Sequence, residues 1–156
     1  MNAYCKSALN QIKIALQKTA VIMDHLSEDD LSKRPTPTKH SIGELLEHIA
    51  LICKADLLIA SEATQAEMEE FYSFHSLTHL PELKKAMLDN FRTLEEVYLS
   101  YSEEDLSQEL TSFWGVTYTR YEWLLEILAH VYHHRGQLHA ILVHYYQKDV
   151  DIMLFE

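Results

Sequence analysis

A chain of 156 residues suits one domain around one core, and 47% apolar with 24% charged residues excludes a disordered polymer. Twenty-four acidic residues against 13 basic ones leave a formal charge of −11, which repels nucleic-acid phosphates and anionic membrane surfaces. Only three glycines and three prolines occur, too little punctuation for many short strands, so long helices are expected in a single domain over residues 1–156.

The opening MNAYCKSALNQIKIAL lacks the basic segment and unbroken apolar core of a signal peptide, and no run approaches the ~18 apolar residues of a membrane span. Cys5 and Cys53 lie far apart without CxxC spacing and read as free thiols, although a single disulfide remains compatible with the spacing. Together these features point to the cytoplasm.

In chain order, a first helix is predicted over residues 4–26, with Ile12, Leu16, Val21 and Ile22 supplying apolar surface. SEDD at 27–30 reads as solvated capping chemistry, and KRPTPTKH (33–40) reads as a loop. Ser41-Ile42-Gly43-Glu44 is a capping box that opens a second helix running to about residue 60. Residues 61–78 read as a helical extension followed by loop. A third helix starts near Pro81 and continues to about residue 101. A loop over 111–117, with Phe113, Trp114 and Gly115, precedes a fourth helix over residues 120–147. LSEDDLSKR (26–34) and YSEEDLSQE (101–109) echo one another, each ahead of a helix with an inner-face histidine. The expected architecture is all-α, an up-down four-helix bundle.

Ten histidines are sorted by helical face, at about 100° per residue. In the fourth helix Trp123, Leu124, Ile127, Val131, Leu138, Ile141, Leu142 and Tyr145 share one arc of about 100°, which should face the core. His134 falls inside that arc and His130 at its edge, whereas His133 and His139 point away. In the second helix Ile42, Leu45, Ile49, Ile52, Ala55 and Ile59 define the inner arc, with His48 in or beside it. Residues at i and i+4 stack one turn apart, so His130 and His134 can converge on one ion, and His48 completes a three-imidazole set.

An HxxxH pair without the HExxH glutamate also arises in ordinary helices, where the histidines are hydrogen-bonded core residues. Three imidazoles at a core edge each have a donor and an acceptor to satisfy, and a shared metal ion resolves that cost. Asp56 lies eight residues after His48, either orienting a ligand or meeting an Arg or Lys at the bundle edge. Gln137 can reach the site or a partner helix, and Arg135 is expected at the periphery. Trp114, Tyr118 and Tyr121 either roof a pocket or simply pack. The tail KDVDIMLFE (148–156) is apolar enough to dock on its own bundle or on a partner subunit.

The string HVYHHRGQL (130–138), late in a long helix, together with GELLEHI (43–49) and the SEDDL…RP…SIGELLEHI opening, resembles the DinB-like superfamily over essentially the whole chain. That resemblance implies a four-helix bundle, frequent homodimers, and a metal site of zinc or nickel type. It maps the ligands onto His48, His130 and His134. It also implies a relation to transferases and isomerases that use low-molecular-weight thiols.

Two functions are carried forward. In the first, the chain is a metalloenzyme for a small-molecule substrate: three neutral ligands leave the ion its full charge, so it can ionise a bound thiol or water. In the second, it is a non-catalytic, stress-related bundle with a structural or sensory metal, its shell closed by a fourth ligand such as His133, His75 or His79.

Overall fold

The computed structural model describes residues 2–156. Asn2 caps the first helix, α1 (Ala3–Asp24), by accepting the N–H groups of Tyr4 and Cys5. A 3-10 turn (Glu28–Ser32) and a loop lead to α2 (Ile42–Ile59), which starts at the expected box: Ser41 accepts the Glu44 N–H, and the Glu44 carboxylate accepts the Ser41 N–H. Next come α3 (Gln65–Ser73), α4 (Leu80–Ser100) with Pro81 in its first turn, and α5 (Glu103–Ser107). A two-stranded antiparallel hairpin, β1 (Glu109–Thr111) and β2 (Thr117–Thr119), precedes α6 (Arg120–Tyr146).

The four long helices form a bundle around one core. α1 packs against α4 and α6, and α2 packs against the same two, so α1 faces α2 across the diagonal, as α4 faces α6. Long connections over residues 25–41 and 101–119 permit this arrangement. The echoed segments mark the two halves: Ser27 with Asp30 and Ser102 with Asp105 form matching capping boxes. Their downstream helices, α2 and α6, pack side by side, which places His48 opposite His130 and His134. Gly43 sits where the 3-10 turn crosses α2; a Cβ there would meet the Leu31 carbonyl oxygen at 3.0 Å, so the close approach requires a residue without one.

Several expectations are corrected. Residues 61–78 are not an extension of α2: that helix stops at Ala60, Glu62 turns the chain at φ 65°, and α3 starts afresh with its own Thr64–Glu67 capping box. The 111–117 loop is the turn of a hairpin, closed by Gly115 at φ 92°. Its wall packs rather than roofing a site, since Trp114 and Tyr118 lie edge-on to Trp123, whose indole N–H donates to the Leu110 carbonyl. Arg135 is buried rather than peripheral, because the tail crosses it: its guanidinium donates to the Leu154 carbonyl and lies 4.6 and 4.8 Å from the centres of the Tyr132 and Phe155 rings. The tail thus docks on its own bundle, with Val150 buried. Tyr145, placed by periodicity on the inner arc, is instead 63% exposed. Cys5 and Cys53 are both buried and free. No described helix is long and apolar enough to cross a membrane.

The SEDD cap is also less solvated than expected. Asp30 is 2% exposed and accepts from Lys33, Lys148 and the Ser27 N–H. Burial raises its pKa, but the bonds from Lys148, Lys33 and Ser27 outweigh that and hold it well below the usual carboxylate range. A depressed folded pKa stabilises the fold above the unfolded value of about 3.9, and the contribution is lost as pH falls below it. Urea melts between pH 7 and 3 should therefore show stability falling below about pH 4. Asp30→Asn should remove about 1–2 kcal/mol at pH 7, given lysines that are one-third exposed, and should flatten that acid slope.

Candidate metal centre

Helices α2 and α6 bring His48, His130 and His134 together, all half-buried. The His48 Nε2 lies 3.1 Å from the Nε2 of His130 and 3.1 Å from the Nε2 of His134. The far side of each α6 ring is engaged: His130 Nδ1–H donates to Asp56 Oδ2 at 2.7 Å, and His134 Nδ1–H donates to Gln137 Oε1 at 3.0 Å. Those two bonds fix the tautomers, because a neutral imidazole that donates from Nδ1 presents a lone pair at Nε2. His48 can then donate its single Nε2 proton to only one of its neighbours, so at least one of the 3.1 Å approaches sets lone pair against lone pair. A cation among the three nitrogens removes the repulsion. The spacing fits as well, since two nitrogens each about 2.0–2.1 Å from one zinc ion stand roughly 2.9–3.4 Å apart at right or tetrahedral angles.

Protonation agrees with the donor geometry. Burial, followed by the neighbouring His134, His130 and His40, pulls the His48 pKa down to about 4, so this ring is neutral at pH 7. His134 is also lowered by burial, against the Gln137 bond. His130 moves the other way: the hydrogen bond from its ring to Asp56 raises its pKa against the cost of burial.

The DinB superfamily model matches residues 11–138. The chain belongs to the DinB superfamily. A candidate DinB family member from Exiguobacterium sibiricum 255-15 is 28% identical, with a TM-score of 0.87 over 99% of both chains. DinB-like proteins from Bacillus subtilis and Bacillus cereus ATCC 10987, each 18% identical, share the fold. Their TM-scores are 0.73 and 0.75, over 96% and 95% of this chain and 99% and 96% of theirs. No curated protein matches the chain at a significant level.

On this DinB scaffold, the second reading given to Asp56 in the sequence, an ion pair at the bundle edge, gives way: its carboxylate orients His130. Glu126, one turn before His130, escaped the sequence reading although an ExxxH spacing on α6 marks it. Its carboxyl belongs to a cluster with Asp56 and His130, and burial, then the Asp56 charge, raises its pKa against the pull of His130. Among the described residues no fourth side chain joins the three histidines. The His75 ring contacts the Phe71 carbonyl, His79 pairs with Glu28, and His133 is exposed.

A cavity of about 600 Å³ opens beside His48, with Arg34, Lys39, His40, Glu44 and Tyr72 in its wall. Arg34 and Glu44 form a two-pronged ion pair, and the pairing holds the Glu44 pKa down at about 2. No residue of the cavity loop was read from sequence as a site residue, because residues 33–40 have no periodicity to sort their faces.

Asp56→Asn, which keeps the shape but removes the charge, should lower affinity for a divalent ion by about 10–100-fold. A competition titration against a chromophoric chelator measures it, and Asp56→Glu should recover part of the loss.

Proposed function

We propose that the chain is a metal-dependent enzyme in which His48, His130 and His134 hold a divalent ion, zinc or nickel, and a low-molecular-weight thiol is the substrate group activated there. The observation that carries this reading is the set of three Nε2 atoms, with those of His130 and His134 each 3.1 Å from that of His48 and turned by Asp56 and Gln137 to present lone pairs. When bound, such an ion supplies Lewis acidity that favours the ionised form of a thiol or of water at neutral pH.

The chain's own residues do the remainder. Asp56 and Gln137 fix the two α6 rings, and the neutral His48, in the tautomer that carries its proton on Nδ1, supplies a third nitrogen with no imidazolium proton to lose at pH 7. The cavity beside His48 has room for a small molecule next to one of the three rings. A structural metal is the less favoured reading, since such sites close their shell with four protein ligands, and here the described residues bring together three histidines, of which His48 lines a cavity.

The test is spectroscopic. Cobalt(II)-substituted protein titrated with a small thiol, such as 2-mercaptoethanol, should develop a near-ultraviolet sulfur-to-cobalt charge-transfer band that His130→Ala lacks. A cobalt-loaded wild type whose spectrum ignores thiol would overturn the thiol assignment while leaving the metal site intact.

A further inference from the structure

The three rings of the centre are not held alike. His130 and His134 each have the outer nitrogen, Nδ1, engaged by a side chain, Asp56 and Gln137 respectively. Among the described residues His48 bonds through Nε2 alone, although metal-ligating histidines almost always bond through their second nitrogen as well. Nor is its Nδ1 sealed in, since the buried orphan among the described side chains is Arg135 Nε. The open space that His48 borders is the cavity of about 600 Å³.

Part of that cavity's polar wall is already committed. Arg34 and Glu44 are spent on each other, and Glu47 Oε1 accepts the Leu77 N–H. Two donors in the wall are free: among the described residues Lys39 joins no ion pair, and the Tyr72 hydroxyl has no partner. Tyr72 arrives on α3, which packs on α2. Burial, then the Asp56 charge, raises its pKa, so the phenol keeps its proton. What the wall lacks is therefore an acceptor with one negative charge. A carboxylate supplies both, as Asp56 does for His130, whereas a dianion would set a second charge against Glu44 and Glu47.

Occupancy of the metal centre alters what His48 shows to this cavity. In the metal-free chain the single ring proton is drawn to Nε2, which lies 3.1 Å from the lone pairs of His130 and His134, and Nδ1 offers a lone pair. With Nε2 given to an ion, one proton leaves Nε2 for water and one is taken up at Nδ1, so the neutral ring turns a donor outward. An anion is repelled by the first state and bound by the second. We infer that the cavity beside His48 is a binding site for a small carboxylate, held by Lys39, Tyr72 and the His48 Nδ1–H, and that this site and the metal site strengthen one another. The inference rests on the three-histidine metal reading above and not on the thiol. Because the two ring nitrogens point apart, the carboxylate belongs to a molecule other than the group at the three Nε2 atoms.

The experiment takes acetate as the probe and measures zinc affinity by chelator competition, in acetate and in chloride at equal ionic strength. Acetate should tighten zinc binding by at least about fivefold. Its own weak attraction for zinc works in the opposite direction, so it cannot be the source of the gain. Lys39→Met and Tyr72→Phe, both at exposed positions, should each lose most of that gain. Reciprocally, acetate should bind the zinc-loaded chain more tightly than the metal-free chain by the same factor, read from the Tyr72 ring-proton resonances. Zinc held equally in both salts, or a gain that survives both substitutions, would overturn the carboxylate site and leave the metal reading standing. Equal acetate binding with and without zinc would overturn the coupling. A chain that takes up no zinc in either salt would sink the metal reading and the coupling together, which separates that failure from the others.

Discussion

Alanine at His134 is expected to lower affinity for zinc or nickel by on the order of 10²–10³-fold while the melting temperature of the metal-free protein stays within a few degrees. The magnitude follows from dividing the ~10–16 kcal/mol typical of a tight zinc site among three or four ligands, or about 3–4 kcal/mol each, at about 1.4 kcal/mol per decade. The small effect on folding follows from position. His134 is half-buried at the edge of the bundle, and its ring bonds only to Gln137 and His48, so water can refill the space. A chelator competition on wild type and variant gives the affinity, and thermal melts of the metal-free forms give the stability. A loss of less than about fivefold would mean that His134 does not ligate, whatever its neighbours do.

The second large effect concerns the frame that aims those rings. Ile127→Ala should cost about 3 kcal/mol and lower the melting temperature of the metal-free protein by roughly 6–12 °C. Ile127 is fully buried, within the inward stripe formed with Leu124, Val131 and Leu138, and it lies just under one turn before His130. Truncation leaves a cavity that α6 can collapse into only by tilting, which would also shift both of its histidines. Differential scanning calorimetry supplies the number. A cost below about 1 kcal/mol would show that the α6 stripe does not anchor the bundle as described.

Much of this was legible in the residues because helical periodicity is a local property. The α2 and α6 arcs separated His48, His130 and His134 from His133 and His139 before any packing was known, and the structure brings those three together. The Ser41–Glu44 box and Pro81 marked helix starts for the same local reason. What failed to show depends on distant partners. Arg135 is buried only because the tail, some 20 residues away in sequence, folds back across it. Asp56 reads equally well as a surface ion-pair partner until α6 supplies His130. The hairpin over 109–119 consists of two three-residue strands, too short for an alternating pattern to stand out. The diagonal placement of α1 against α2 depends on where the 25–41 connection crosses, which no periodicity encodes. The cavity beside His48 flanks a proline-containing loop whose shape is likewise set by its contacts.

Elemental analysis of the untagged chain is the most direct measurement of whether a metal ion sits at the three histidines. The account predicts about one zinc or nickel ion per chain after gel filtration. A chain that retains no ion, even after reconstitution with either metal, would contradict it.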